Sequence, residues 1–143
     1  MRRLVLFALS VALAGNGAAQ AEIGRIKRSM GTAAVQRGTA RMPAAVGAGV
    51  EQGDVLVTGR DGRVSITFAD NSRFSAGPNS RITLSQFQFN EATRKGAFVT
   101  KVDRGSLAIV SGQIAHETKD AMKVRTPTSL LGVRGTRFVV NVP

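Results

Sequence analysis

Between Gly53 and Leu84, apolar and polar residues alternate in short runs separated by turn-forming residues. The stretch reads GDVLVTGRDGRVSITFADNSRFSAGPNSRITL, and its four runs are Asp54–Thr58, Arg63–Phe68, Ser72–Ala76 and Ser80–Leu84. Val64, Ile66 and Phe68 alternate with Arg63, Ser65 and Thr67, and Ile82 and Leu84 with Arg81 and Thr83. A period of two sends one set of side chains to a core face and the other to water. The breakers Gly59–Gly62, Asp70-Asn71 and Gly77-Pro78-Asn79 are residues that tolerate or impose turn dihedrals. Short strands at this spacing predict an all-β module.

The same pattern extends in both directions. Ile23–Arg28 and Thr32–Arg37 are expected as strands around Ser29-Met30-Gly31, followed by a loose strand and loop from Gly38 to Gly49. After Leu84 the apolar parity shifts, with Ile82 and Leu84 at even positions and Phe87 and Phe89 at odd ones. One regular strand cannot keep all four on one face, so a bulge or corner is expected near Ser85-Gln86. Asn90–Gly96 reads as a polar turn. Ala97–Val102 and Ser106–Ser111 read as strands joined at Asp103-Arg104-Gly105. Gly112–Asp120 is polar, Met122–Arg125 is a strand broken before Pro127, and Ser129–Val133 and Thr136–Val142 complete the set. No helical periodicity exceeds one or two turns after residue 21. The fold class expected is all-β: a single domain of short strands, either β-solenoid-like or a twisted β-sandwich. Helix above about a fifth of the residues would contradict it.

Residues 1–21 stand apart from this pattern. Arg2 and Arg3 precede the apolar run Leu4 to Ala14, and Ala19-Gln20-Ala21 supplies a small-x-small site. These features predict a cleavable signal peptide cut after Ala21. A membrane anchor needs about 20 apolar residues to cross roughly 30 Å of hydrocarbon, and this run has 11. The absence of cysteine excludes a lipoprotein anchor and disulfides, and the general secretory route is the expected one. The expected mature domain is residues 22–143, located in the periplasm.

Composition narrows the function classes. The chain carries a formal charge of +11; without Arg2 and Arg3, 18 basic residues face 9 acidic ones, a charge of +9. Such an excess favours anionic partners. The basic residues run from Arg25 to Arg137 without a block, as on a solvated basic face. The region after residue 21 has six phenylalanines and no Trp or Tyr, which predicts core anchors and few stacking platforms for sugars or bases.

Catalytic chemistry finds little support. Nucleophilic catalysis needs a base beside an activated side chain, and the single histidine, His116, stands in the polar segment His-Glu-Thr-Lys-Asp. It is expected as an exposed loop residue. His116, Glu117 and Asp120 are the weak candidates for a surface metal site. No P-loop or dinucleotide fingerprint occurs. No enzyme, cofactor or metal is expected. Arg134 lies in an apolar run between Gly132 and Gly135, and is expected as a fold clamp on a buried carboxylate, with Asp54 or Asp70 as partner.

Several of these elements occur in a recognisable order: Gly53-Asp54, Val57-Thr58-Gly59, Val64 through Asp70, Gly105 opening a strand, Thr126-Pro127, and Val133-Arg134-Gly135-Thr136-Arg137-Phe138. In order and spacing the chain resembles the FecR domain family from about Ile23 to Val142. Asp70-Asn71-Ser72 stands where the family usually has Asp-Gly-Ser, and Asn suits the same turn. The resemblance implies a periplasmic all-β domain whose structural motif residues are Gly53, Asp54, Asp70, Gly105, Arg134, Gly135 and Thr136. Archetypal members regulate sigma factors across the membrane, with a cytoplasmic segment, a transmembrane helix and a further C-terminal domain. This sequence is expected to be a secreted, stand-alone version that binds rather than regulates a sigma factor directly.

Three functional readings follow. The first is a non-enzymatic periplasmic binding or signalling accessory module that recognises an envelope protein at a sheet edge or face, for example by strand addition. The second is a binder of anionic envelope polymers, the phosphates of lipopolysaccharide or the carboxylates of peptidoglycan. The third, a basic nucleic-acid-binding β-barrel, requires a cytoplasmic chain; nucleic acid is not the expected partner of an exported one.

Overall fold

The computed structural model describes residues 20–133 and 137–143. It contains β1 (Glu22–Met30), β2 (Ala33–Arg37), β3 (Ala40–Pro43), β4 (Gly49–Glu51), β5 (Val55–Thr58), β6 (Arg63–Phe68), β7 (Arg73–Ala76), β8 (Arg81–Phe89), β9 (Gly96–Val110), α1 (Gln113–Glu117), β10 (Met122–Arg125), β11 (Leu130–Gly132) and β12 (Arg137–Val142). Among the described residues strand takes up 60% and helix 4%, well below the fifth that would contradict an all-β fold. Among the described residues no helix is long and apolar enough to cross a membrane.

All twelve strands belong to one curled sheet whose path runs β3-β2-β5-β8-β9-β7-β6-β1-β4. β9 is its spine. Residues 96–104 of β9 pair with β8, while residues 107–110 pair with β7. On its other edge, residues 98–101 pair in parallel with β10 and residues 105–110 pair antiparallel with β12. The sheet therefore has two halves sharing one strand. The front half is β4-β1-β6-β7, the second part of β9, and β12. The back half is β3-β2-β5-β8, the first part of β9, and the β10–β11 hairpin.

The bend between the halves falls at Gly105. Its φ is +93°, and a Cβ there would collide with Ser80. Only glycine takes that left-handed conformation at low cost and lets the backbone approach so closely. The sequence signal Asp103-Arg104-Gly105 is thus a corner within one 15-residue strand, not a turn between two strands. A bend without chain reversal lets each part of β9 pair with its own set of neighbours.

The expected bulge in β8 is present. Leu84 pairs with Thr100 and Gln86 with Val99, so Ser85 is the extra residue. The Gln52 side chain accepts a bond from the Phe87 amide at 3.0 Å beside this irregularity. With the parity reset, Ile82, Leu84 and Phe87 are all buried. A second shift, between Ile26 and Arg28 of β1, leaves Lys27 and Arg28 consecutively exposed.

The core lies between the halves. Phe68 and Phe74 of the front meet Phe87 and Phe98 of the back. Ring centroids are 4.8 Å apart for Phe68–Phe98 and 5.1 Å for Phe74–Phe98. Each buried phenylalanine contributes about 1.5–3 kcal/mol by burial, and each aromatic pair about 0.5–1.5 kcal/mol more. Ile26, Ile66, Leu56, Leu107 and Ile109 extend the same core. The single turn of α1 stands in a segment expected to be loop. Five residues are too few to reveal a helical period.

Candidate functional site

The structural motif residues do not converge on one site. Asp54 is only 1% exposed. Its carboxylate accepts Arg37 Nε at 2.9 Å and Arg37 Nη2 at 2.8 Å, and also the Glu51 amide at 2.8 Å. Glu51 lies 3.4 Å from the same guanidinium. The hydrogen bond to Asp54 holds the Arg37 pKa above its ordinary value. Gly53, with φ +90°, turns the chain so that its amide reaches Leu84 O at 2.7 Å. This joint ties β2, β4, β5 and β8, and its cation is Arg37.

Asp70 forms a second joint. Fully buried, it accepts the Ser72 hydroxyl at 2.8 Å, the Ser72 amide at 3.0 Å and the Ile114 amide at 3.3 Å. The Gly112 amide donates to Ser72 Oγ at 3.0 Å. The carboxylate thereby seats α1 on the β6–β7 turn, and Gly112 is required by the close approach of the two backbones. At a third joint, Gly105 adjoins a buried hydroxyl network. Thr58 Oγ1 donates to Gly77 O at 2.6 Å and accepts from the Ser80 amide at 2.9 Å, and Ser80 Oγ accepts from the Ser106 amide at 3.1 Å. Arg134, Gly135 and Thr136, and with them the clamp expected of Arg134, lie outside the described residues.

These joints are scaffolding. His116 is exposed on α1, and among the described residues no three His, Asp or Glu side chains come together in a metal-binding group. The places open to a partner are elsewhere.

The first is a fork along one edge of β9. β10 leaves that edge after Lys101, and β12 joins it only at Gly105. Among the described residues no strand pairs there with Val102–Arg104. A cleft of about 590 Å³ occupies the fork, walled by Pro127, Leu131, Phe138, Val140 and Val142, with Asp103 at its base. Leu130 and Leu131 are 54% and 42% exposed on β11. Unpaired strand backbone beside an apolar wall suits an extended peptide, whose amides pair while its side chains enter the cleft.

The second is the outer face of the front half. Arg28, Ser65, Ser75, Ala108 and Val139 form one row across five strands. Thr67, Arg73, Val110 and Arg137 form the neighbouring row, and Met30 and Arg63 begin the row on the other side. Ser65 and Ser75 hydroxyls are 3.1 Å apart at the centre, in a depression of about 280 Å³. Among the described residues Arg28, Arg63, Arg73 and Arg137 form no ion pair.

Arg37 and the fork were not legible as sites in the sequence. Arg37 stands 17 residues before Asp54, and only the strand order brings them together. The wet set Arg63, Ser65 and Thr67 was legible from alternation, but its alignment with Arg28, Arg73 and Arg137 depends on register.

A family profile described as FecR protein matches residues 54–142, more than half of the chain. The family is one of signalling-related regulatory modules. No curated protein and no solved structure matches the chain.

Proposed function

We propose, for a chain that belongs to the FecR family, a non-enzymatic accessory role in envelope signalling: it binds an extended segment of a partner protein in the fork of β9. The observation that carries this reading is the juxtaposition of the apolar cleft between β10–β11 and β12 with the edge of Val102–Arg104 that faces away from β8, where no strand pairs among the described residues. A three-residue strand edge gives few hydrogen bonds, so Leu131, Phe138 and Val142 supply most of the contact energy. Asp103 at the base favours a segment with a basic or amide-bearing side chain.

The site of action in this proposal is the periplasm, reached by removal of residues 1–21. The apolar run Leu4 to Ala14 and the small residues at Ala19 and Ala21 support it. N-terminal sequencing of the periplasmic fraction is expected to start at Glu22. Full-length chain confined to the cytoplasm overturns the location.

The binding test is site-specific photo-crosslinking in intact cells. A photoreactive residue at Leu131 is expected to give a discrete protein adduct, and one at Glu91, in the β8–β9 turn, none. The added substitution Val142→Asp should abolish the Leu131 adduct while the circular dichroism spectrum stays β. Equal adducts at both positions, or an adduct unaffected by Val142→Asp, overturn the fork as the site.

A further inference from the structure

We infer that the outer face of the front half docks on an anionic lipid surface. The first ground is charge. The face presents Arg28 on β1, Arg63 on β6, Arg73 on β7 and Arg137 on β12, all exposed and without an ion pair among the described residues. Of the acids at its margin, Glu22 is engaged with Arg25 at 3.1 Å and Asp61 accepts the Thr32 amide at 3.1 Å. The bulge in β1 adds exposed Lys27. A guanidinium matches phosphate oxygens with a planar fork of donors.

The second ground is how the cations are spread. With strands about 4.8 Å apart, the five strands span roughly 20 Å, and the arginines occupy both margins and three successive rows. A linear polyanion would fit cations along a line or groove. Cations spread in two dimensions around a shallow centre fit a planar array of head groups. The third ground is apolar. Met30 and Val139 are 60% and 69% exposed, and both line the central depression with Arg28 and Arg63. Exposed apolar side chains among cations reach the boundary between head groups and acyl chains while the cations stay at the phosphates. Ser65, Ser75 and Ser106 at the centre offer hydroxyls to the phosphates between them.

The β10–β11 hairpin also sets cations, Lys123 and Arg125, beside exposed Leu130 and Leu131, but it presents two cations on one two-stranded hairpin against four arginines spread over the front face. On the back half Asp103 holds Lys101 at 3.3 Å and Arg81 at 3.6 Å, and Arg41, Lys123 and Arg125, without an ion pair among the described residues, lie on β3 and β10, near the sheet margins.

The test is co-sedimentation of residues 22–143, the mature chain of the processing proposal, with phosphatidylcholine vesicles, with and without phosphatidylglycerol. Binding is expected only with phosphatidylglycerol and should weaken as salt is raised. Each arginine near such a surface is worth about a fivefold change in partitioning, so the combined Arg28→Gln, Arg63→Gln and Arg73→Gln variant should lose roughly a hundredfold. The variant Arg41→Gln, Lys123→Gln and Arg125→Gln, with the same change in charge, should lose far less. Met30→Ser should weaken vesicle binding and leave binding to soluble polyphosphate unchanged. Equal losses for the two triple variants, equal binding to neutral vesicles, or polyphosphate binding tighter than vesicle binding each overturn the proposal. Should the front triple variant misfold, the single variants Arg28→Gln and Arg73→Gln carry the same test. A vesicle result leaves the fork untouched, because Leu131 crosslinking reads the other surface.

Discussion

The two halves of the sheet use their cations differently. In the back half Arg37 is committed to Asp54 and Glu51, and Arg81 and Lys101 share Asp103. These pairs tie strands β2, β5, β8 and β9 of the back half together and reach β4 of the front half through Glu51. In the front half Arg28, Arg63, Arg73 and Arg137 project from regular strand positions, and the sheet beneath them is held by backbone pairing and the apolar core. Similar side chains thus do structural work on one side and remain available on the other. What separates them is not their number but where the nine acidic residues of the chain fall. Asp54 and Asp103 lie in the back half, and Asp70 is consumed by α1.

The largest effect is expected where the halves join. Gly105→Val places a β-branched residue at φ +93° against Ser80. A loss of about 2–4 kcal/mol is expected from backbone strain and overpacking together, read by urea unfolding. A loss below about 0.5 kcal/mol, the range of ordinary surface changes, would mean that the corner relaxes freely and the halves are not rigidly coupled. Next comes the contrast between arginines. Arg37→Ala leaves the buried Asp54 without its cation, at a cost of about 2–3 kcal/mol, reduced because water reaches the half-exposed guanidinium position. Arg63→Ala should stay within about 0.5 kcal/mol of the wild type. Similar melting of the two variants would erase the distinction.

The interior offers a finer contrast. Along β9 the front half buries Leu107 and Ile109, whereas the back half buries Thr100 between Phe98 and Val102. Among the described residues the Thr100 hydroxyl has no hydrogen-bond partner. Thr100→Val should therefore stabilise the protein by about 1 kcal/mol in thermal unfolding; a destabilised variant would reveal a partner for that hydroxyl. Asp103→Asn converts the back face toward the front one by releasing Arg81 and Lys101. Stability should change by less than about 1 kcal/mol, while retention on an anionic column rises. Unchanged retention would show that pairing does not determine which cations are available.

The smallest effect belongs to Asp61, whose carboxyl accepts the Thr32 amide at 3.1 Å across the two halves. The bonds from Thr32, the amide first, hold its pKa below the ordinary 3.8. A depressed carboxyl contributes stability that is present above 3.8 and lost as pH falls through the folded value. Asp61→Asn should remove that slope from the melting temperature in the acid range and leave neutral pH nearly unchanged. An identical slope in the variant would assign the acid sensitivity to other carboxylates.

Much of the strand pattern was legible because alternation is a local signal. Val64, Ile66 and Phe68 announced their face, and the parity change between Leu84 and Phe87 located the bulge. Gly105 was legible as a special backbone position but not as a corner, because a glycine after two polar residues marks a hairpin or a bend equally well. The turn at Gln113–Glu117 owes its helix to the Asp70 carboxylate, 44 residues away from Ile114, and no window around α1 contains that cause. The same holds for Arg37 and Asp54. The candidate surfaces were least legible of all. The fork exists because two strands leave β9 at different places, and the arginine face exists because five strands come into register.

The position of β9 along the chain has a consequence for the order of synthesis. Of the strands along the path of the sheet, β9 is the last to be made, and it stands between β8 and β7. Until residues 96–110 emerge, the front strands and the back strands have no common member in the middle of the sheet. β7 and β8 then each present an open edge carrying Phe74 and Phe87. Closing both edges requires one long strand to arrive whole, which makes assembly late and dependent on contacts distant in sequence. A chain interrupted before Gly96 would keep two exposed edges and an open phenylalanine cluster, the features that drive strand-to-strand aggregation.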